Sequence, residues 1–291
     1  MVTLKKRILT ALLGLLAVIF TNAADNFVSF SGGDLLLNKD NTIGVFVDAN
    51  DCRGVMRAAK TLLHDIEMST TNTKAMLAGE NKANVVVGTL GHSKAIDDMV
   101  KAGKIDARLL KGKTEKYIIT VVDNKLVIAG SDRRGAIYGI YEFSRQLGVS
   151  PWYWWADVPT AKHDKIFVSK GTYTDGEPAV RYRGLFLNDE APCLTTWVKN
   201  TYGTNYGDHR FYERVFELIL RLKGNMLWPA MWSWAFYADD PMNGKTADDM
   251  GVIIGTSHHE PMARNHQEYA RKRTDSGPWH YNINKANLQR F

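Results

Sequence analysis

Residues 252–261 read Val252-Ile253-Ile254-Gly255-Thr256-Ser257-His258-His259-Glu260-Pro261. A short β-branched run closed by turn-forming residues is a buried-strand pattern, and here it runs into two imidazoles and a carboxylate. The same arrangement occurs twice upstream. YRGLFLNDE (182–190) is an apolar run ending in Asn188, Asp189 and Glu190, and NMLWPAMW (225–232) ends in Trp228, Pro229 and Trp232. Between the first two, Asp208 is placed to cap a helix with Phe211, Val215, Leu218, Ile219 and Leu222 on one apolar face, stopping at Gly224. KTADDMG (245–251) reads as a second, shorter helix. The order strand, helix, strand, helix, strand, with polar or aromatic groups at each strand's C-terminal end, predicts parallel βα units. Right-handed crossovers then bring the three polar clusters to one mouth. A (β/α)8 TIM-type barrel builds its site there; a doubly wound open sheet also collects ligand groups at one edge.

Upstream of about residue 175 the pattern differs. IGVFVD (43–48) and NVVVGT (84–89) read as buried strands, with Val55, Ala59, Leu62, Leu63 and Ile66 at helical spacing between them. HSKAIDDMVKAGK (92–104) is a further helix. Residues 115–130 predict a hairpin turning at Asp123–Asn124, and residues 133–148 a helix stopping at Gly148. This is an α/β unit of mixed sheet. It carries neither a GxGxxG fingerprint nor a Walker-type loop. PWYWWADVP (151–159) clusters Trp152, Tyr153, Trp154 and Trp155, to fill an interface or to stack on sugar rings. The polar stretch 159–178, with one short strand candidate at KIFVS (165–169), carries the boundary between a domain over 25–175 and a second over 176–291.

Lys5, Lys6 and Arg7, the apolar run 8–20 and the small-residue stretch TNAAD (21–25) form a secretory signal pattern, with cleavage expected near Ala23 or Ala24. The run is shorter than the roughly 20 apolar residues of a membrane span. Removing residues 1–24 lowers the formal charge from +6 to +3, with 34 Lys and Arg against 31 Asp and Glu. No polybasic patch is left to suggest nucleic acid. Cys52 and Cys193 make no disulfide framework.

RGLFLNDE, FELILRLKGNMLWPAMW and GTSHHEPM closely resemble glycoside hydrolase family 115, the α-glucuronidases that release glucuronic acid or its 4-O-methyl form from xylan. The similarity covers nearly the whole mature chain. It implies a non-catalytic N-terminal α/β domain over 25–175 and the start of a catalytic barrel over 176–291. The rest of that barrel, a helical domain, a β-sandwich and a further acidic motif would fall beyond Phe291, so the chain is expected to be a truncated piece, inactive alone. The implied activity is exo-acting and inverting, without cofactor or metal. The implied partners are a polysaccharide and a second copy met through C-terminal domains, with no nucleic acid and no stable membrane span.

Inversion at a glycosidic carbon needs one carboxylic acid to protonate the leaving oxygen and one carboxylate to activate water, about 6.5–9.5 Å apart. Asp189, Glu190, His259 and Glu260 are the candidates for that chemistry. Asn188, Asn225, Trp228, Trp232, His258 and Arg264 are candidates for holding the uronate and its ring. For most of these a structural reading competes: a capping pair at 189–190, a satisfied turn at 258–260, core packing for the tryptophans, an ion pair for Arg264 or Arg183. A metal reading of the two histidines lacks the HExxH spacing that sets them on one helical face. Two other functions compete, a secreted carbohydrate-binding protein without catalysis and another barrel glycosidase of hexosaminidase-like layout, since one fold hosts many reactions.

The export reading is tested by mass spectrometry of secreted or periplasmic protein. The expected mature N-terminus is near Ala24 or Asp25; an intact Met1 on membrane-bound protein contradicts it.

Overall fold

The computed structural model describes residues 26–187, 191–204, 207–229, 234–255, 266–271 and 276–291. The expected signal segment, at 1–24, lies outside them. Among the described residues no helix is long and apolar enough to cross a membrane.

A six-stranded mixed sheet organises the first part. It contains β3 (Thr42–Val47), β4 (Lys74–Leu77), β5 (Val85–Thr89), β6 (Tyr117–Val122), β7 (Lys125–Gly130) and β9 (Thr172–Tyr173), in the order β4-β3-β5-β7-β6-β9. β4, β3, β5 and β7 are parallel, and β6 and β9 join antiparallel. β5 is buried along its whole length: Val85 and Val87 join one hydrophobic cluster and Val86 the other. A strand covered on both faces reads as a continuous apolar run rather than an alternation. The β6–β7 hairpin turns at Asp123 and Asn124, both left-handed, at φ 50° and 58°, as a two-residue type I′ loop requires.

Helix α2 (Lys94–Lys101) lies against one face. The other face is covered by α1 (Arg53–Ser69) and α3 (Arg133–Gln146). Val55, Ala59, Leu62 and Ile66 are buried as their spacing predicts, with Leu63 partly so. α3 begins at Asp132, whose carboxylate accepts from the Gly135 N–H, and gives way to Gly148 at φ 89°. A small antiparallel sheet joins β1 (Val28–Ser29), β8 (Phe167–Val168) and β2 (Leu35–Leu36) in the order β1-β8-β2.

The second part is built on β10 (Gly184–Leu187), β11 (Met226–Pro229) and β12 (Ile253–Ile254), a parallel three-stranded sheet in that order. α4 (Cys193–Tyr202) and α5 (His209–Arg221) lie between β10 and β11; α6 (Phe236–Asp239) and α7 (Met242–Met250) lie between β11 and β12. α8 (His266–Arg271) and α9 (Tyr281–Arg290) follow. Asp208 caps α5 by accepting from the Arg210 and Phe211 N–H groups. Two details differ from the sequence expectation. Leu222 is exposed, because α5 ends at Arg221 and the apolar face ends with it. The left-handed residue there is Lys223, at φ 58°, rather than Gly224; Gly224 sits where a Cβ would press on the Arg183 carbonyl oxygen and Ile219. The three strands do not close into a barrel among the described residues.

The two sheets are separate, yet they share one hydrophobic core. The cluster containing Ile43, Leu62 and Ile140 also contains Phe211, Ile219, Leu227 and Met250. α1 and α3 are therefore sandwiched between the six-stranded sheet and the helices of the second part. At the centre of that contact, one terminal nitrogen of Arg221 donates to both carboxylate oxygens of Asp65, at 2.9 Å each, and its Nε donates to Glu217 at 2.9 Å. The rings of Tyr141 and Tyr153 flank the guanidinium at 4.6 and 4.9 Å. The Asp65 side chain is fully buried and that of Arg221 nearly so. Burial pushes the Asp65 carboxyl up and the guanidinium opposes it; Arg221 is itself held firmly charged, its desolvation outweighed by Asp65, Tyr141 and Glu217. The free cysteines Cys52 and Cys193 form no disulfide.

Removing one partner of a buried ion pair strands the other charge, at a cost of about 3–5 kcal/mol. Chemical denaturation of Asp65→Ala is expected to show that loss. Lys94→Ala, which removes an exposed pair with Asp98, is expected to leave the midpoint in place. A midpoint for Asp65→Ala matching the parent would contradict the central role given to this pair.

Candidate active site

Register fixes where the candidate mouth opens. Leu187 stands opposite Pro229 at the ends of β10 and β11, and Ile254 stands opposite Leu227. The Gly255 N–H donates to the Leu227 carbonyl at 2.8 Å, extending the ladder by one residue. The three strands therefore end along one edge of the sheet. Neighbouring strands lie about 4.8 Å apart, so the edge is about 10 Å wide from β10 to β12. Asn188, Asp189 and Glu190 follow β10 in the sequence, Trp232 follows β11, and His258, His259, Glu260 and Arg264 follow β12. These eight lie outside the described residues.

Trp228 is described. Its ring is 5.2 Å from that of Phe186, across the β10–β11 pair. Both are exposed, Trp228 at 39% and Phe186 at 57%. Side chains alternate along a strand: Leu227 turns into the shared core while Trp228 turns to the opposite, open face. That ring pair is an apolar surface on which a sugar ring can lie.

Asn225 requires a correction. It precedes β11 and so lies at the N-terminal end of the sheet, away from the strand ends, and it is 1% exposed. Its amide nitrogen donates to Glu115 at 2.8 Å and to the Arg181 carbonyl at 2.7 Å; its oxygen accepts from the Arg183 N–H at 2.9 Å. These bonds commit the side chain to the fold and leave it unavailable to a substrate hydroxyl. Arg183 belongs to the same network, donating to Glu115 and, at 3.1 Å, to the Tyr138 hydroxyl. Arg134 also donates to Glu115, at 2.6 Å. Burial raises the Glu115 carboxyl, but hydrogen bonds from Asn225 and Arg183 and the nearby arginine charges outweigh it and hold it below its ordinary range. Asn225 reads as a strand-flanking polar residue in sequence because its partner lies 110 positions away.

The structure adds polar groups on the mouth side that the sequence reading missed. α5 and α7 both follow their strands, so their N-termini lie toward the strand C-terminal ends. There the Asp240 carboxylate accepts from the His209 backbone N–H at 2.9 Å, pairs with His209 Nδ1 at 2.7 Å, and accepts from the Met242 N–H at 2.9 Å. Partial burial acts to raise the Asp240 carboxyl, yet these bonds prevail and hold it low. Asp239 accepts from the Ala235 N–H at 2.7 Å and pairs with Arg271. The available signal was Asp239-Asp240-Pro241, acids followed by a proline at a helix start. Asp240 ties two helix starts together, which suits it to holding the mouth in shape. Among the described residues no group of three His, Cys, Asp or Glu side chains is arranged to hold a metal ion.

Residues 175–291 match the glycosyl hydrolase family 115 profile. A family 115 4-O-methyl-α-glucuronidase with specificity for decorated arabinogalactans is similar in structure at TM-score 0.76 and 34% identity, covering 91% of this chain and 34% of its own. The chain thus spans about a third of that enzyme's length. A chitobiase from Flavobacterium johnsoniae aligns at TM-score 0.47 and 14% identity, over 79% of this chain and 33% of its own, too distant to bear on function. No curated protein matches the sequence.

Proposed function

With residues 175–291 belonging to glycosyl hydrolase family 115, we propose that the protein containing this chain is an exported, exo-acting, inverting α-glucuronidase that removes glucuronic acid or its 4-O-methyl form from a polysaccharide. Glucuronoxylan is the first substrate to test. Decorated arabinogalactan, on which the similar enzyme acts, is the second.

The observation that carries the reading is the in-register parallel edge. Three segments rich in acids, histidines and tryptophans follow strands that end side by side. An edge about 10 Å wide accommodates the 6.5–9.5 Å carboxylate separation of inverting hydrolysis. The open apolar face bearing Phe186 and Trp228 also fits a sheet that continues into a (β/α)8 barrel, whose interior is packed by such side chains.

In the mechanism, one carboxyl group at the mouth is protonated and donates to the glycosidic oxygen as the bond to the anomeric carbon breaks. A carboxylate on the opposite face takes a proton from water as its oxygen attacks that carbon, so configuration inverts. Asp189, Glu190 and Glu260 are the carboxyl groups assigned to this work, with His259 beside them as a proton-transfer or charge-stabilising group. Arg264 and His258 hold the uronate, Arg264 by a bidentate contact. Asn188 bonds a ring hydroxyl, and Trp228 and Trp232 wall the ring. Asn225 takes no part.

The test uses the full-length protein. Proton NMR of the first product from an α-linked substrate should show the β-anomer; an initial α-anomer means retention and overturns the mechanism. Asp189→Asn and Glu190→Gln should each lower kcat at least about a hundredfold, roughly 2.7 kcal/mol of barrier, with little change in Tm. Asn225→Ala should do the reverse, lowering Tm while the folded fraction keeps its kcat.

A further inference from the structure

A groove of about 880 Å³ lies between α1 and α5, on the helical side of the molecule rather than at the strand ends. Arg53, Arg57, Lys60 and His64 line it from α1, at intervals of four, three and four residues. That spacing puts them on one helical face, a basic stripe about 16 Å long at 1.5 Å per residue. α5 contributes Arg210, Glu213, Arg214 and Glu217, and Tyr153, Trp154 and Tyr202 complete the wall.

The charges are unevenly compensated. Arg57 pairs with Glu213 at 2.7 Å and Arg214 with Glu217 at 3.0 Å, while Arg53 only approaches Asp249, at 3.7 Å. Arg210 pairs with Asp208. Lys60 has no ion pair among the described residues, and His64 has only a ring contact with Tyr153, at 6.3 Å. Both are exposed. The Arg214 guanidinium lies 5.3 Å over the Trp154 ring, which also packs edge-on against Trp155 at 4.8 Å and Trp197 at 5.9 Å. Trp154 is thus a rigid, half-buried aromatic surface on the groove wall. The Tyr202 hydroxyl is buried with no hydrogen-bond partner among the described residues.

We propose that this groove is a second carbohydrate site, separate from the mouth, that binds an acidic oligosaccharide segment. A uronate carboxylate pairs with Lys60 and His64, and a sugar ring lies against Trp154 and Tyr153. A sparse carboxylate polymer suits the groove better than a phosphate chain. Glu213, Glu217 and Asp249 interrupt the basic wall and would repel a backbone charged at every nucleotide. The choice of ligand rests on the α-glucuronidase reading, but binding here requires no hydrolysis. Such a site would hold the polymer while the mouth works on its side groups.

Hydrogen exchange and calorimetry on the full-length protein test this. The probes are glucuronoxylan oligosaccharides, glucuronidated arabinogalactan oligosaccharides and their carboxyl-reduced neutral counterparts. Added acidic oligosaccharide should slow exchange over residues 53–64. Lys60→Glu should weaken the groove's binding about fivefold, the scale of an exposed charge pair, and reduce that protection at subsaturating oligosaccharide; Lys60→Arg should retain it, and the reduced probes should give none. Protection unchanged by Lys60→Glu overturns the proposal, as does equal protection by polyphosphate, which would mark a site for charge alone. Uronic acid release is measured in the same samples. Protection without release retains the groove and rejects the proposed activity; release without protection does the opposite.

Discussion

A buried guanidinium holds this molecule together. Arg221, at the end of α5, reaches Asp65 on α1 and Glu217 on its own helix, between two tyrosine rings. Because both charges are withdrawn from water, the arrangement is stable only while complete: losing Arg221 leaves Asp65 buried without a counter-ion, and losing Asp65 leaves the guanidinium only half compensated, by Glu217. It therefore fixes the angle and register at which α5 meets α1. β11 starts only a few residues after α5, so the parallel sheet inherits that placement.

Three further ties act at the same end. Glu115 gathers Arg134, Arg183 and Asn225, and Lys223 donates to Glu142 at 2.8 Å. The Tyr138 hydroxyl donates to the Gly224 carbonyl at 2.8 Å. All of these secure the N-terminal ends of β10 and β11 to the α/β unit. Anchoring one end of a parallel sheet leaves the other end to its loops, which is where a strand-end site gathers its chemistry. The polar residues at the strand starts of the second part, Arg183 and Asn225, thus serve the fold.

Sequence patterns disclosed the elements whose signals are local. The α1 stripe, the Asp123–Asn124 turn, the Asp208 cap and the three strand cores each occupy a short window, and each forms where the pattern placed it. Two-residue strands such as β1, β2 and β8 are too short to show a period, and only their pairing defines them. α4 buries Val198 alone among its described residues and gives little amphipathic signal. The structural role of Asn225 is not legible in the sequence, because its decisive contact, with Glu115, crosses 110 residues. The tryptophan-rich stretch at 152–155 fills an interface, as one of its two readings expects. Trp155 packs against Phe211 and donates to the Arg214 carbonyl, whereas Trp154 also lines the groove.

If the Arg221 contact makes the two sheets one folding unit, they must unfold together. Hydrogen exchange with mass spectrometry across a urea series reads this directly, comparing peptides from β5 to β7 with peptides spanning α5 and β11. A common midpoint and a common slope for both sets is the predicted result. Loss of protection in α5 and β11 at lower urea, with β5 to β7 still protected, would contradict it.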